Sequence, residues 1–184
     1  MKITSGIYRG RELLSPHSKK THPMGSRERL ALFNAIAPDL KGVEVLDFYA
    51  GTGALGFEAL SRGAKSVTFV EPDAAALATI KQNALNLGVS SSTTLIRHSA
   101  EHLAHTISQE HTPSAQVIFL DPPYDKPISA DTFKLIAIHA LKPSGVLVLS
   151  HPDSVNPAAL AAETDLKIRS TKSYAACHIT IFDK

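Results

Sequence analysis

From Val43 onward the chain alternates between short runs of β-forming apolar residues and longer stretches whose apolar positions recur every three to four residues. Residues 43–48 (VEVLDF), 66–71 (SVTFVE), 93–97 (TTLIR), 115–120 (AQVIFL) and 145–150 (GVLVLS) read as strands. Helix patterns lie between them: 54–64, closed by Gly63; a segment that Asp73 can cap, with Leu77, Ile80, Ala84 and Leu87 on one face and Gly88 at its end; 99–109; and 131–141, ended by Lys142-Pro143-Ser144-Gly145. Strands joined by helix-length crossovers pair in parallel, so the pattern predicts an α/β fold with a mostly parallel sheet. After a short helix near 157–163, residues 166–174 and 176–183 read as two strands with no helix between them. Such a pair is antiparallel, and the sheet is expected to end in a hairpin.

Residues 1–36 stand outside this alternation. Residues 3–13 suggest two short strands around Tyr8-Arg9-Gly10, and 15–25 reads as a loop with Pro16 and Pro23. A helix is expected from Ser26, a possible cap, with Leu30, Phe33 and Ile36 on one face. The expected organisation is thus a hairpin-helix extension over 1–36 and a sheet domain over 37–184.

Charge sharpens this division. The extension holds seven Lys or Arg against two acids, a net of +5, whereas the remainder holds twelve against fifteen, a net of −3. A basic arm on a slightly acidic body suggests a polyanionic partner, with a solvated tail as the plain alternative. Composition adds exclusions. With 43% apolar and 20% charged residues the chain reads as globular. One cysteine, Cys177, rules out an internal disulfide framework, and the nine histidines show no zinc-ligand spacing, so no metal is expected. No apolar stretch approaches the ~20 residues of a membrane span, and the first residues lack a signal-peptide core. A cytoplasmic protein without a membrane partner is expected.

The chemistry gathers at strand ends. The first strand ends in Asp47, and Gly51-Thr52-Gly53-Ala54-Leu55-Gly56 opens the next helix. Glycines permit a tight turn and let a ligand approach bare amides at a helix N-terminus. Glu71 closes the second strand twenty residues after Gly51, where a carboxylate can accept both ribose hydroxyls of an adenosine. The ligand is a dinucleotide or S-adenosylmethionine on this evidence. Asp47, four residues before the first glycine, suits the ammonium of the latter better than a pyrophosphate, and so does the terminal hairpin. The fourth strand runs straight into Asp121-Pro122-Pro123-Tyr124. Neither proline can donate to a sheet ladder, so the strand stops at a stiff corner facing the same mouth as the glycines.

This tetrapeptide resembles that of the amino-group methyltransferases. The resemblance implies that the Asp121 side chain and the Pro122 carbonyl accept hydrogen bonds from an exocyclic amine, with Pro123 shaping the corner and Tyr124 stacking on the base. Taken together, GIYRGREL, SRERLALFNAI, VLDFYAGTGALGFEALSRGAKSVTFVE and FLDPPY resemble the RsmD family over residues 3–124, with a weaker echo in KSYAACHITIF. That family methylates the N2 amino group of a guanine in small-subunit (16S) ribosomal RNA. The resemblance implies a Rossmann-like class I methyltransferase sheet of seven strands. It also implies S-adenosylmethionine held by Asp47, Tyr49, Ala50, Gly51, Thr52, Gly53, Gly56, Glu71, Pro72, Ser99 and Ala100. Ribosomal RNA or an assembling small subunit is the implied partner of a monomer, with Arg9, Arg11, His22 and Arg27 toward the RNA. The chain departs from the family at His22-Pro23-Met24 (usually Arg-Pro-Thr), at His98-Ser99-Ala100, where an Asn or Asp is usual near the adenine, and at Ser150, where a carboxylate is common. The competing readings are a glutamine-N5 protein or DNA amino methyltransferase, and an RNA-binding module without catalysis.

Overall fold

The computed structural model describes residues 1–15, 24–107, 113–174 and 177–184. Among these, seven strands form one sheet: β1 (Glu44–Phe48), β2 (Ser66–Val70), β3 (Thr93–Ile96), β4 (Ala115–Leu120), β5 (Leu141–His151), β6 (Lys167–Ser173) and β7 (His178–Asp183). Their order is β3-β2-β1-β4-β5-β7-β6. The first five pair in parallel, and β7 runs antiparallel to both β5 and β6, as the terminal hairpin requires. The chain reverses its direction of travel across the sheet between β1 and β4. That is the switch point at which a crevice opens beyond the carboxyl ends of the strands.

Among the described residues six α-helices cover the two faces: α1 (Ser26–Ala35), α2 (Ala54–Ser61), α3 (Ala74–Leu87), α4 (Ala100–Ile107), α5 (Ala130–His139) and α6 (Pro157–Ala162). Alternate strand residues divide the core in two. Val45, Phe69, Phe119 and Val148 face α1, α2 and α3, while Leu46, Ile118, Leu147 and Phe182 face α4, α5 and α6. Asp73 caps α3 by accepting the Ala75 N–H at 2.8 Å, and Gly88 ends it in the left-handed conformation. The end of the expected 99–109 helix, most of the expected 15–25 loop and residues 175–176 between the last two strands lie outside the described residues.

Several boundaries differ from the pattern. α5 stops at His139, and β5 already starts at Leu141. The Lys142–Gly145 turn is absorbed as an irregularity in the β4–β5 register, with Ser144 at φ +58°. The expected strands around Tyr8 reduce to a single antiparallel bridge, Lys2 to Glu12, closing a looped turn. Gly25, not Ser26, is the cap residue of α1. Leu30 is 40% exposed, and the inward face of α1 consists of Arg29, Leu32 and Phe33. A hydrophobicity pattern assigns Arg29 outward; a charged partner across the interface reverses that.

The partner is Glu58 on α2. Fully buried, it accepts hydrogen bonds from Thr4 N (2.8 Å), Thr4 Oγ1 (2.6 Å), Ser5 N (3.0 Å) and Arg62 Nε (2.9 Å), with Arg29 Nε at 3.6 Å. Arg29 spends its other nitrogens on the Lys2 and Met24 carbonyls at 2.7 and 3.3 Å. A buried ion pair contributes little net stability, but removing one partner strands the other charge. The arm is therefore clamped to α2, while Ile3, Leu13 and Phe33 enter the core of the sheet.

Candidate active site

The mouth is built from four strand ends. β1 delivers Asp47, then the loop Tyr49–Gly53; β2 delivers Glu71; β4 delivers Asp121–Tyr124; β5 delivers Ser150. The loop turns sharply because Gly53, cap residue of α2, sits at φ +75°. Gly56 serves a different need: a Cβ there would meet the Phe69 ring at 2.3 Å, so only glycine lets α2 lie this close to β2. Tyr49 is left-handed without being glycine, at φ +58°. Strain of this kind costs about 1–3 kcal/mol and persists where surroundings enforce it. Here the Tyr49 hydroxyl donates to Glu101 of α4 at 3.0 Å.

Glu71 ties this loop to β2. Its Oε2 accepts the Gly51 N–H at 2.9 Å and its Oε1 accepts the Asp73 N–H at 3.0 Å. Each carboxylate oxygen keeps a second lone pair for a ligand hydroxyl. Asp47 lies deeper, 1% exposed, with Oδ2 accepting the Gly56 N–H at 2.9 Å. Burial raises its pKa well above the usual carboxylate range; the Gly56 bond opposes this, and the charges of Asp121 and Glu71 add to it. The charges of Glu71 and Asp121 thus both reach Asp47 at the mouth. That repulsion is relieved by a cationic ligand, and a sulfonium with an ammonium meets that need better than a pyrophosphate.

The remaining cofactor candidates line the same edge. Ala50, Gly51, Thr52 and Gly53 are buried in the loop, and exposed Pro72 accepts the Arg97 Nε–H through its carbonyl at 3.4 Å. Ser99 accepts the His102 N–H at 3.1 Å and so starts α4, with Ala100 buried beside it. The donor set fits an adenosine carrying a cationic amino-acid tail: amides and glycines at a helix start, and a carboxylate at the end of the neighbouring strand.

At the Asp-Pro-Pro-Tyr corner, Pro122 is buried, Pro123 exposed, and Asp121 and Tyr124 half-buried. Burial pushes the Asp121 pKa up to about 6, with the Ser150 hydroxyl pulling the other way. Tyr124 Oη lies 2.9 Å from Ser150 Oγ. Burial chiefly raises the tyrosine pKa, and Cys177 adds to the rise while Ser150 opposes it. Glu101 escaped sequence reasoning and Cys177 entered it only as a lone cysteine within KSYAACHITIF, since each reaches the mouth only through folding. Past Ser150, a cleft of ≈ 270 Å³ carries His151 and His178 in its lining. Their nitrogens are already engaged by Pro152, Thr180, Ser173 and Asp153. Among the described residues no group of His, Cys, Asp or Glu is arranged to hold a metal ion.

The proposed RNA residues separate in space. α2 and α3 descend from the mouth, and the arm meets their far ends: Ile7 N–H donates to Ser61 O at 2.8 Å, and Arg11 donates to Asn86 O at 2.8 Å. Arg9 and Arg11 therefore lie toward the amino edge of the sheet. Arg27 stands instead at the start of α1, where its charge reaches Tyr174 at the carboxyl end of β6. His22 lies outside the described residues.

The family model described as Conserved hypothetical protein 95 matches residues 1–183. The Ribosomal RNA small subunit methyltransferase D of Haemophilus influenzae is 35% identical over 148 residues, covering 80% of this chain and 76% of that protein. The protein of the same name from Escherichia coli K12 is 35% identical over 136 residues, covering 74% and 66%. The solved Escherichia coli structure yhhF matches with a TM-score of 0.84 at 25% identity, covering 100% of this chain and 97% of that one.

Proposed function

This chain belongs to the RsmD-type ribosomal RNA methyltransferase family, and we propose that it transfers a methyl group from S-adenosylmethionine to the N2 amino group of a guanine in small-subunit ribosomal RNA. It does so as a cytoplasmic monomer. The observation that carries this reading is buried Asp47 with the charges of Glu71 and Asp121 acting on it, beside a rigid Pro-Pro corner. That much negative charge repels a pyrophosphate, and it repels RNA phosphates as well, so a dinucleotide site and an RNA-binding module without catalysis are the poorer readings.

Bound at this mouth, S-adenosylmethionine supplies a methyl group already activated by its sulfonium. The protein's task is then alignment. Glu71 accepts the ribose hydroxyls while holding the Gly51 amide, and Asp47 faces the ammonium. Asp121 and the Pro122 carbonyl accept the two amine hydrogens, turning the nitrogen lone pair toward the methyl carbon, and Tyr124 stacks on the guanine. Such positioning lowers barriers by several kcal/mol, within the ~7–11 kcal/mol range of well-oriented reactions. A carboxylate at about 6 is also placed to take the proton that the amine loses on methylation. Toward RNA phosphates, Arg27 serves the mouth directly, whereas Arg9 and Arg11 reach only RNA that wraps to the opposite edge.

The test is incubation of small ribosomal subunits lacking endogenous modification with methyl-labelled cofactor, followed by nucleoside analysis. Label in N2-methylguanosine is expected. Label confined to another nucleoside, to DNA or to a protein glutamine overturns the assignment.

A further inference from the structure

Ser150 is 1% exposed at the end of β5 and meets both working side chains of the corner. Its Oγ lies 2.9 Å from Tyr124 Oη, and its hydroxyl also faces the Asp121 carboxylate, whose charged form it stabilises. A serine has one proton and two lone pairs. Ser150 and Tyr124 share one hydrogen bond, in which either hydroxyl can donate. We propose that Ser150 is a positioning residue, which locks Asp121 and Tyr124 into one unit so that the amine acceptor and the stacking ring are set together. This rests on the amine-methylation reading above.

The arrangement has two consequences. Ser150 favours the ionised form of Asp121, the form that accepts an amine hydrogen. The Tyr124 ring cannot swing without breaking a part-buried hydrogen bond. On Asp121 itself burial favours the neutral acid and the Ser150 hydroxyl favours the ionised form; the Asp121 charge in turn acts on Asp47 from β1 and on Tyr124, which has Cys177 behind it.

The experiment uses Ser150→Ala and Ser150→Thr in the full chain, with thermal melting to confirm folding. Two readouts are taken: single-turnover methylation of unmodified small subunits, and titration of the Asp121 carboxyl by carbon-13 NMR without RNA. Ser150→Ala is expected to slow turnover about tenfold or more with cofactor affinity within about twofold of the parent. It should also move the Asp121 midpoint upward by roughly half a unit. Ser150→Thr, which keeps a hydroxyl, should recover most of both. Because Tyr124→Phe breaks the same hydrogen bond, its loss of rate should not multiply with that of Ser150→Ala. An unmoved midpoint, fully multiplying losses, or a folded Thr variant no better than Ala overturns the proposal. If the parent protein leaves small subunits unmethylated, the substrate reading falls, while the Asp121 titration still decides the role of Ser150.

Discussion

Replacing Glu71 by alanine removes two things at once. The structure has both carboxylate oxygens holding backbone amides, Gly51 at 2.9 Å and Asp73 at 3.0 Å, and the same oxygens are those proposed to receive the ribose. Hydrogen bonds to a charged acceptor are worth about 1.5–3 kcal/mol, and the glycine loop loses its anchor to β2 as well. A loss of about 2–3 kcal/mol corresponds to roughly 30- to 150-fold weaker binding. Isothermal titration with S-adenosylmethionine measures it, and 5′-methylthioadenosine supplies the control. That compound keeps the ribose and lacks the amino-acid tail, so it should lose a similar factor if the ribose contact dominates. Glu71→Gln, which keeps one acceptor oxygen, should fall between parent and alanine. Undiminished affinity in a folded Glu71→Ala protein would refute the assignment and leave Glu71 as a strand end. A loss confined to S-adenosylmethionine would move Glu71 from the ribose to the charged tail.

Asp121→Ala should leave cofactor affinity near that of the parent while lowering the methylation rate about a hundredfold or more; a rate within a few-fold would make the tetrapeptide structural. In the parent, the reaction needs ionised Asp121, so kcat/KM should rise with pH through a midpoint near 6, and a bound cation should move the corresponding limb of kcat to lower pH. A pH-independent rate between 5 and 8 would count against the role of that carboxylate. Arg27→Ala should weaken RNA binding and reduce its salt slope by about 0.7–0.9, more than Arg9→Ala and Arg11→Ala together reduce it; the reverse order would place the RNA on the arm turn. Glu58→Gln should cost about 3 kcal/mol in chemical denaturation, because it leaves Arg29 buried beside a neutral group, and a stability change under about 0.5 kcal/mol would show the clamp to be dispensable.

The sequence alone determined the parallel sheet, its closing hairpin and the strand ends that carry Asp47, Glu71 and Asp121. These rest on signals local along the chain: alternation of periods, a glycine turn, and two prolines that cannot continue a strand. The cap at Asp73 and the stop at Gly88 were legible for the same reason, since each is decided within one helical turn. Long-range pairing was decided only in three dimensions. The inward Arg29 looks like a surface residue until Glu58, 29 positions away, neutralises it. The arm turn carries arginines that charge counting joins with Arg27, yet docking places that turn at the far ends of α2 and α3 while Arg27 stands at the start of α1. Ser150 shows the same limit at the mouth. In sequence it is one polar residue closing an apolar strand; beside Tyr124 and Asp121 it becomes part of the corner. Secondary structure follows from neighbours in the chain, whereas the environment of a side chain follows from what the fold brings against it.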